Sequence, residues 1–184
     1  MNKKPSIEET RTIAKSRLFS IEDVSLQFSN GEQRNYERIV APGPGAVMII
    51  PVIDDTTLMM IREYCVGTDR FEQVFPKGLI NTDESIIDAA NRELMEEVGL
   101  AARQLDHISS MTIAPGYLSF VTHIVVARDL YEQKLPGDEP EPLETVNFKL
   151  SQFDQLLHNS ELTEARSIAA LYMVRDMLKK TTHD

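Results

Sequence analysis

Apolar residues along the chain fall into two periods. Ala46 to Ile53 (AVMIIPVI) is a continuous apolar run, the pattern of a buried strand. Asp54-Asp55 turns the chain and Thr57 to Val66 returns as a second strand, while Pro51 predicts an edge position or a bulge. Leu105–Ile113, Val121–Leu130 and Val146–Leu150 read as further strands. Helical spacing takes over at Ile87, Ala90, Leu94 and Val98, with Ser85 as N-cap, Asp88 three residues on, and Gly99 as the stop. A second helix, from Glu161 or Thr163 to Lys180, offers Ala165, Ile168, Ala169, Tyr172 and Leu178 as its packing face and ends in Lys179-Lys180, a favourable place for cations.

The first 44 residues have a different texture. Residues 1–17 are polar and partly helical in pattern, which predicts an arm ordered only by docking. Leu18, Ile21, Val24, Leu26 and Phe28, the turn signal Ser29-Asn30-Gly31, and a run from Gln33 to Val40 predict a β-hairpin. The breaker cluster Ala41-Pro42-Gly43-Pro44-Gly45 separates it from the rest. The expected organisation is 1–44 as arm and hairpin, a dimerisation element, and 45–184 as one α/β domain of about seven strands and two long helices. A hairpin this small is not stable alone, so it packs on its own domain or on a second subunit.

Composition narrows the function. The chain has 184 residues, 42% apolar, enough for one buried domain plus a small extension. A net charge of −10 speaks against a nucleic-acid surface. It leaves phosphate compounds open, because acidic residues that hold a metal create a locally positive site. Cys65 is the one cysteine, so no internal disulfide forms, and Met-Asn-Lys-Lys-Pro with no apolar run after it predicts no secretory leader. No apolar stretch is long enough for a bilayer. A cytoplasmic protein without membrane or nucleic-acid partners is expected. The four histidines are scattered, with no metal spacing.

The chemistry concentrates in Gly78 to Leu100, GLINTDESIIDAANRELMEEVGL. On the expected helix Glu93 and Glu97 are one turn apart with Glu96 beside them, so the carboxylates share one side. Alone they repel. Hard oxygen ligands at this spacing suit Mg²⁺ or Mn²⁺, which also take water and substrate phosphate. Arg92, four residues before Glu96, can hold that carboxylate in place. A Glu-rich helix face is more often a solvated surface, but this string fits G-x5-E-x7-R-E-U-x-E-E-x-G-U, with U apolar, at every defined position. A chance match at a given start has a probability on the order of 10⁻⁹.

That string is the Nudix box, and the chain resembles the Nudix hydrolase superfamily, whose box forms a loop–helix–loop that binds divalent metal and cleaves a nucleoside diphosphate linked to another group. The resemblance implies an α/β/α sandwich with a mixed sheet. It implies Glu93 and Glu97 as main metal ligands, Glu96 assisting, the Lys77 carbonyl as a further ligand, and Glu84 as a support. Beyond the box, Tyr36-Glu37-Arg38, REYCVGT, FPKGLI, Pro115 fifteen residues past Leu100, GDEPEPL and EARSIAALYMVR are similar to the ADP-ribose pyrophosphatase branch, in particular to bacterial members acting on ADP-linked compounds. By that resemblance Glu139 is the base that activates water, with Glu96 and Arg92 completing the catalytic set, and Glu141 is another metal ligand. Arg62 holds substrate, with Arg38, Pro115 and Tyr117 as weaker contacts. The reaction implied is hydrolysis of ADP-ribose, NADH and diadenosine polyphosphates to release AMP, by a homodimer that exchanges its hairpin.

Individual residues keep a second reading. Arg62 and Glu63, charges in an apolar strand, suit a structural ion pair as well as a ligand contact. Tyr117 and Phe120 suit packing as well as base stacking. One departure stands out: many members carry an acidic residue shortly after the proline, and Gly116 to Thr122 has none. Other Nudix substrates, such as coenzyme A or a sugar nucleotide, share the box. An isomerase on the same fold gains little from lone Cys65. A non-catalytic ADP-ribose-binding module is disfavoured by the intact box.

Overall fold

The computed structural model describes residues 3–41 and 43–181, with side chains described to Leu178. Pro42, the Lys179-Lys180 side chains and His183 therefore lie outside the described side chains. Two units emerge: residues 1–45 with 112–121, and residues 46–111 with 122–184.

In the first unit, strands β1 (Ser6–Lys15), β2 (Ser20–Gln27) and β3 (Gln33–Val40) form an antiparallel sheet in the order β1-β2-β3. The β2–β3 hairpin is the expected one. Its loop closes with Phe28 N–H on Glu32 O (2.8 Å) and Gly31 N–H on Phe28 O (3.0 Å), and Gly31 takes φ +88°, which favours glycine. The expected arm is instead a full strand. SIEETRTIAK lacks an apolar face and exposes every residue, so only the ladder with β2, from Ser6↔Gln27 to Lys15↔Ser20, makes it a strand. Segment 112–121 is stitched to β3 by Ile39 N–H on Tyr117 O (2.7 Å) and Ser119 N–H on Ile39 O (3.0 Å).

The second unit is a mixed seven-stranded sheet between helices. Its strands are β4 (Ala46–Asp54), β5 (Thr57–Cys65), β6 (Arg70–Val74), β7 (Lys77–Leu79), β8 (Leu100–Thr112), β9 (Val121–Glu132) and β10 (Glu144–Lys149). The path runs β10-β5-β4-β9-β8, with β6 on β5 and β7 on β4. β4 is central, parallel to β9 and antiparallel to β5, so Pro51 is not on an edge; the ladder with β5 instead shifts register between Val52 and Asp54. Alternate β4 residues feed opposite faces. Val47 and Ile49 meet Ala89, Ala90 and Leu94 of helix α1 (Ile86–Glu97). Met48 and Ile50 meet Phe153 and Leu156 of α2 (Phe153–Leu157) and Leu171, Val174 and Leu178 of α3 (Ala165–Thr181). This is the expected α/β/α sandwich. The extra strands β6 and β7 and the helix α2 are five residues or shorter, too brief for a period to register.

Candidate active site

Helix α1 begins as its sequence dictates. Ser85 Oγ accepts from Asp88 N–H (3.1 Å) and donates to the Asp88 carboxylate (2.7 Å). Ala89, Ala90 and Leu94 are fully buried, which fixes the rotation of the helix and turns Glu93, Glu96 and Glu97 toward β7 and the loop after β9. Gly99, at φ +78°, ends it.

Arg92 organises the box. Its guanidinium donates to Glu84 (2.7 and 2.9 Å), Glu93 (2.6 Å), Glu96 (3.0 Å) and the Leu79 carbonyl (2.9 Å). Glu84 also takes Asn81 N–H (2.9 Å), and Arg92 holds its carboxyl below the ordinary range. Glu84 thus closes the loop before the helix and anchors Arg92, which orients the other carboxylates.

Glu93 and Glu97 are electrostatically unlike Glu84. Glu93 is 9% exposed, and burial pushes its carboxyl up despite Arg92. Burial pushes Glu97 up to about 8, against the Lys77 ammonium and the Lys77 N–H that donates to it (3.0 Å), and with Glu93 and Glu63 raising it further. The Lys77 ammonium pairs with Glu63, the neighbour of Arg62. Gly78 is required by proximity: a Cβ there would land on the Glu93 carboxylate.

The loop after β9 is folded onto the end of α1. Gln133 N–H donates to Gly99 O (3.1 Å) and Leu135 N–H to Met95 O (3.2 Å), and a Cβ on Gly137 would stand 3.2 Å from Glu96 O. Glu139 and Asp138 therefore join Glu93, Glu96, Glu97 and Lys77 around a cleft of about 530 Å³. Burial, then Glu63 and Asp138, push Glu139 above the ordinary range. Glu141 lies beside Glu96 and Glu97 in an adjoining hollow.

The other expected contacts are distributed. Arg62 grips Glu161 with two hydrogen bonds (2.9 and 2.8 Å), stands 3.9 Å from the Glu144 carboxylate and lies 4.2 Å over the Phe71 ring, so its ion pairs are with residues far along the chain rather than with adjacent Glu63. Arg38, Pro115 and Tyr117 line a cavity of about 370 Å³ in the first unit, where Arg38 pairs with Glu22 (2.8 Å). Sequence reading missed the Lys77 side chain and Asp138, while Glu63, singled out with Arg62, pairs with Lys77. The signal for Lys77 was a lone cation beside an acidic box.

Among the described residues, no three His, Cys, Asp or Glu side chains stand together closely enough to enclose a metal ion. The reason is local: Arg92 draws Glu93 and Glu96 to itself, while Glu97 turns to Lys77 N–H. The donors still fit a hard divalent cation in chemistry. They are carboxylates on one helix, two of them penalised as anions by burial, seated against a glycine that leaves no room for a side chain.

Known proteins resemble this chain along most of its length. The NUDIX domain model matches residues 43–171, and the NudE-type Nudix hydrolase N-terminal domain model matches residues 5–38. The chain is 49% identical over 176 residues to the ADP compounds hydrolase NudE of Escherichia coli (strain K12), covering 96% of this chain and 94% of that protein. It is 30% identical over 175 residues to the ADP-ribose pyrophosphatase of Bacillus subtilis (strain 168), covering 90% and 92%. A crystal structure of an ADP compounds hydrolase superimposes with a TM-score of 0.90 at 48% identity, over 98% of this chain and 97% of that one. With the box complete and the match running nearly end to end, the chain belongs to the Nudix hydrolase family.

Proposed function

We propose that the protein hydrolyses the diphosphate of ADP-linked compounds, namely ADP-ribose, NADH and diadenosine polyphosphates, and releases AMP. The observation that carries this reading is that the box carboxylates and Glu139 line one cleft. Similarity to an ADP compounds hydrolase and to an ADP-ribose pyrophosphatase supports the substrate class.

Glu93, Glu97 and Glu96, joined by Glu141 and the Lys77 carbonyl, would hold Mg²⁺ or Mn²⁺. When bound, such an ion neutralises charge on the phosphates and makes water more acidic. Glu139 takes the proton of the attacking water; a carboxyl raised toward neutrality is the better base for that step. Arg92 works by position, orienting Glu93 and Glu96 through one shared nitrogen, while Glu84 fixes Arg92. The Lys77 ammonium, held by Glu63, places a cation at the cleft wall.

The N-terminal sheet is proposed as the contact of a homodimer, since β1 exposes Ile7 and Ile13. Light scattering giving a monomer mass at working concentration rejects that. No helix among the described residues is long and apolar enough to cross a membrane. A cytoplasmic site of action is proposed from the single reduced cysteine.

The test is AMP release from ADP-ribose, NADH and diadenosine triphosphate with Mg²⁺ and with Mn²⁺, beside the Glu97→Gln variant. Turnover of at least one compound, lost in the variant, is expected. A protein that cleaves none of them yet is stabilised to heat by ADP-ribose would be a binding module instead.

A further inference from the structure

A second hollow, of about 440 Å³, opens on the other side of Glu139. One wall is aromatic. Tyr64 on β5 and Phe71 on β6 are a cross-strand pair, with rings edge to face at 5.7 Å and 73°. Both are large and half exposed, at 51% and 45%, an unusual cost beside a fully buried sheet centre. The wall is also tied down: Tyr64 OH donates to Asp69 (2.5 Å), and Arg62 is held by Glu161 with its guanidinium carbon 4.2 Å from the Phe71 ring centroid. The edge-to-face rings and the guanidinium over Phe71 together make one aromatic ledge. Pro140, Pro142 and Leu143 add apolar lining.

The charge of the hollow selects its occupant. Glu139, Glu141 and Glu144 stand at its rim, and the Arg62 cation is already neutralised by Glu161. A phosphate gains nothing there. A flat, uncharged or cationic heterocycle gains aromatic and apolar contact there, and aromatic rings with arginine are surfaces on which bases stack. Glu139 lines this hollow and the box cleft alike, so the hollow adjoins the place where a diphosphate would be held.

We propose that the Tyr64–Phe71 ledge is a subsite for the second base of dinucleotide substrates, the adenine or nicotinamide on the far side of the cleaved diphosphate. This rests on the function proposed above and adds that the enzyme distinguishes its substrates by that base. ADP-ribose, which ends in a bare ribose, has nothing to place on the ledge.

ADP-ribose is therefore the internal control. Tyr64→Ala and Phe71→Ala are assayed with ADP-ribose, NADH and diadenosine triphosphate under saturating metal. The expected result is a fall of about tenfold in kcat/KM for the two dinucleotides, carried by KM, with ADP-ribose within twofold. Phe71→Tyr keeps the ring and should keep dinucleotide turnover. Leu143→Ala, on the opposite wall, repeats the test should an aromatic variant fail to fold. Equal losses on all three substrates, or no loss on the dinucleotides, overturn the subsite and leave the hydrolase reading intact. An unmodified protein that cleaves none of the three overturns both.

Discussion

Two glutamates on neighbouring elements are buried to similar degrees and end in opposite electrostatic states. Glu72 on β6 is 2% exposed, yet its carboxyl sits below the ordinary range. Burial pushes it up, but Arg70 Nε (2.8 Å), Thr163 Oγ (2.9 Å to both oxygens) and Thr163 N–H (3.2 Å) more than offset that. Glu93 on α1 shares one Arg92 nitrogen with Glu96, and Glu97 takes a backbone N–H; both are pushed up. A structural carboxylate is surrounded by donors until burial no longer matters. The box carboxylates are buried with too few donors for their charge, and that deficit is what the proposed cation would fill.

The largest effect that follows is on turnover. Glu97→Gln removes a charge the fold bears at a cost, so metal-dependent AMP release should fall about 10³-fold, while the melting temperature in chelator stays level or rises. A melting temperature several degrees lower would place Glu97 with Glu72 as a structural group and erase the contrast.

Gly78→Ala tests the same deficit sterically. The added methyl lands on the Glu93 carboxylate and must displace it. A ligand displaced by about 1 Å costs about 10²-fold in rate. Steady-state kinetics should show that loss in kcat/KM, with a higher metal concentration needed for half-maximal rate. Unchanged metal dependence would mean Glu93 is not a ligand.

Glu72→Ala should reverse the profile. Thr163 N–H and Arg70 lose their acceptor, at about 2 kcal/mol, which for a chain of this size is roughly 4–8 °C in Tm. kcat per folded molecule should stay within twofold. Thermal melts and active-site-normalised rates read both, and a dead but fully stable protein would refute it.

How much of this was legible beforehand depends on the range of the interaction. The box helix, its Ser85 cap and its Gly99 stop follow from spacing within one turn or two, and the continuous run at β4 announces a buried strand. Strand β1 was not legible, because its polar, fully exposed sequence becomes a strand only through β2. Nor was the partner of Arg62: Glu161 follows 99 residues later, across a chain whose intervening path sets the contact. The Glu139 loop stands between these cases. Its Glu and Pro residues were visible, but its docking on the end of α1 depends on two backbone hydrogen bonds that carry no sequence signature.

The smallest effect sharpens the comparison most directly, because it is a matter of sign. Glu97 is raised in the folded protein, so the stability it contributes is present at low pH and is lost as pH climbs from its ordinary value of 4.5 through about 8. Glu72 is lowered, so its contribution is present above 4.5 and is lost as pH falls below that. In chelator, then, Tm should drift downward by a few degrees from about pH 5 to pH 8, and Glu97→Gln should flatten that drift. Added Mg²⁺ should cancel the drift in the unmodified protein and leave the variant unmoved, since charge on Glu97 becomes favourable once a cation shares it. Below pH 4.5 the Glu72→Ala variant should lose less stability than the unmodified protein does. Glu93 and Glu139 are raised too and leave a smaller drift of the same sign; a drift as large in Glu97→Gln as in the unmodified protein would assign it to those groups, and would remove the electrostatic reason for treating Glu97 and Glu72 as different kinds of residue.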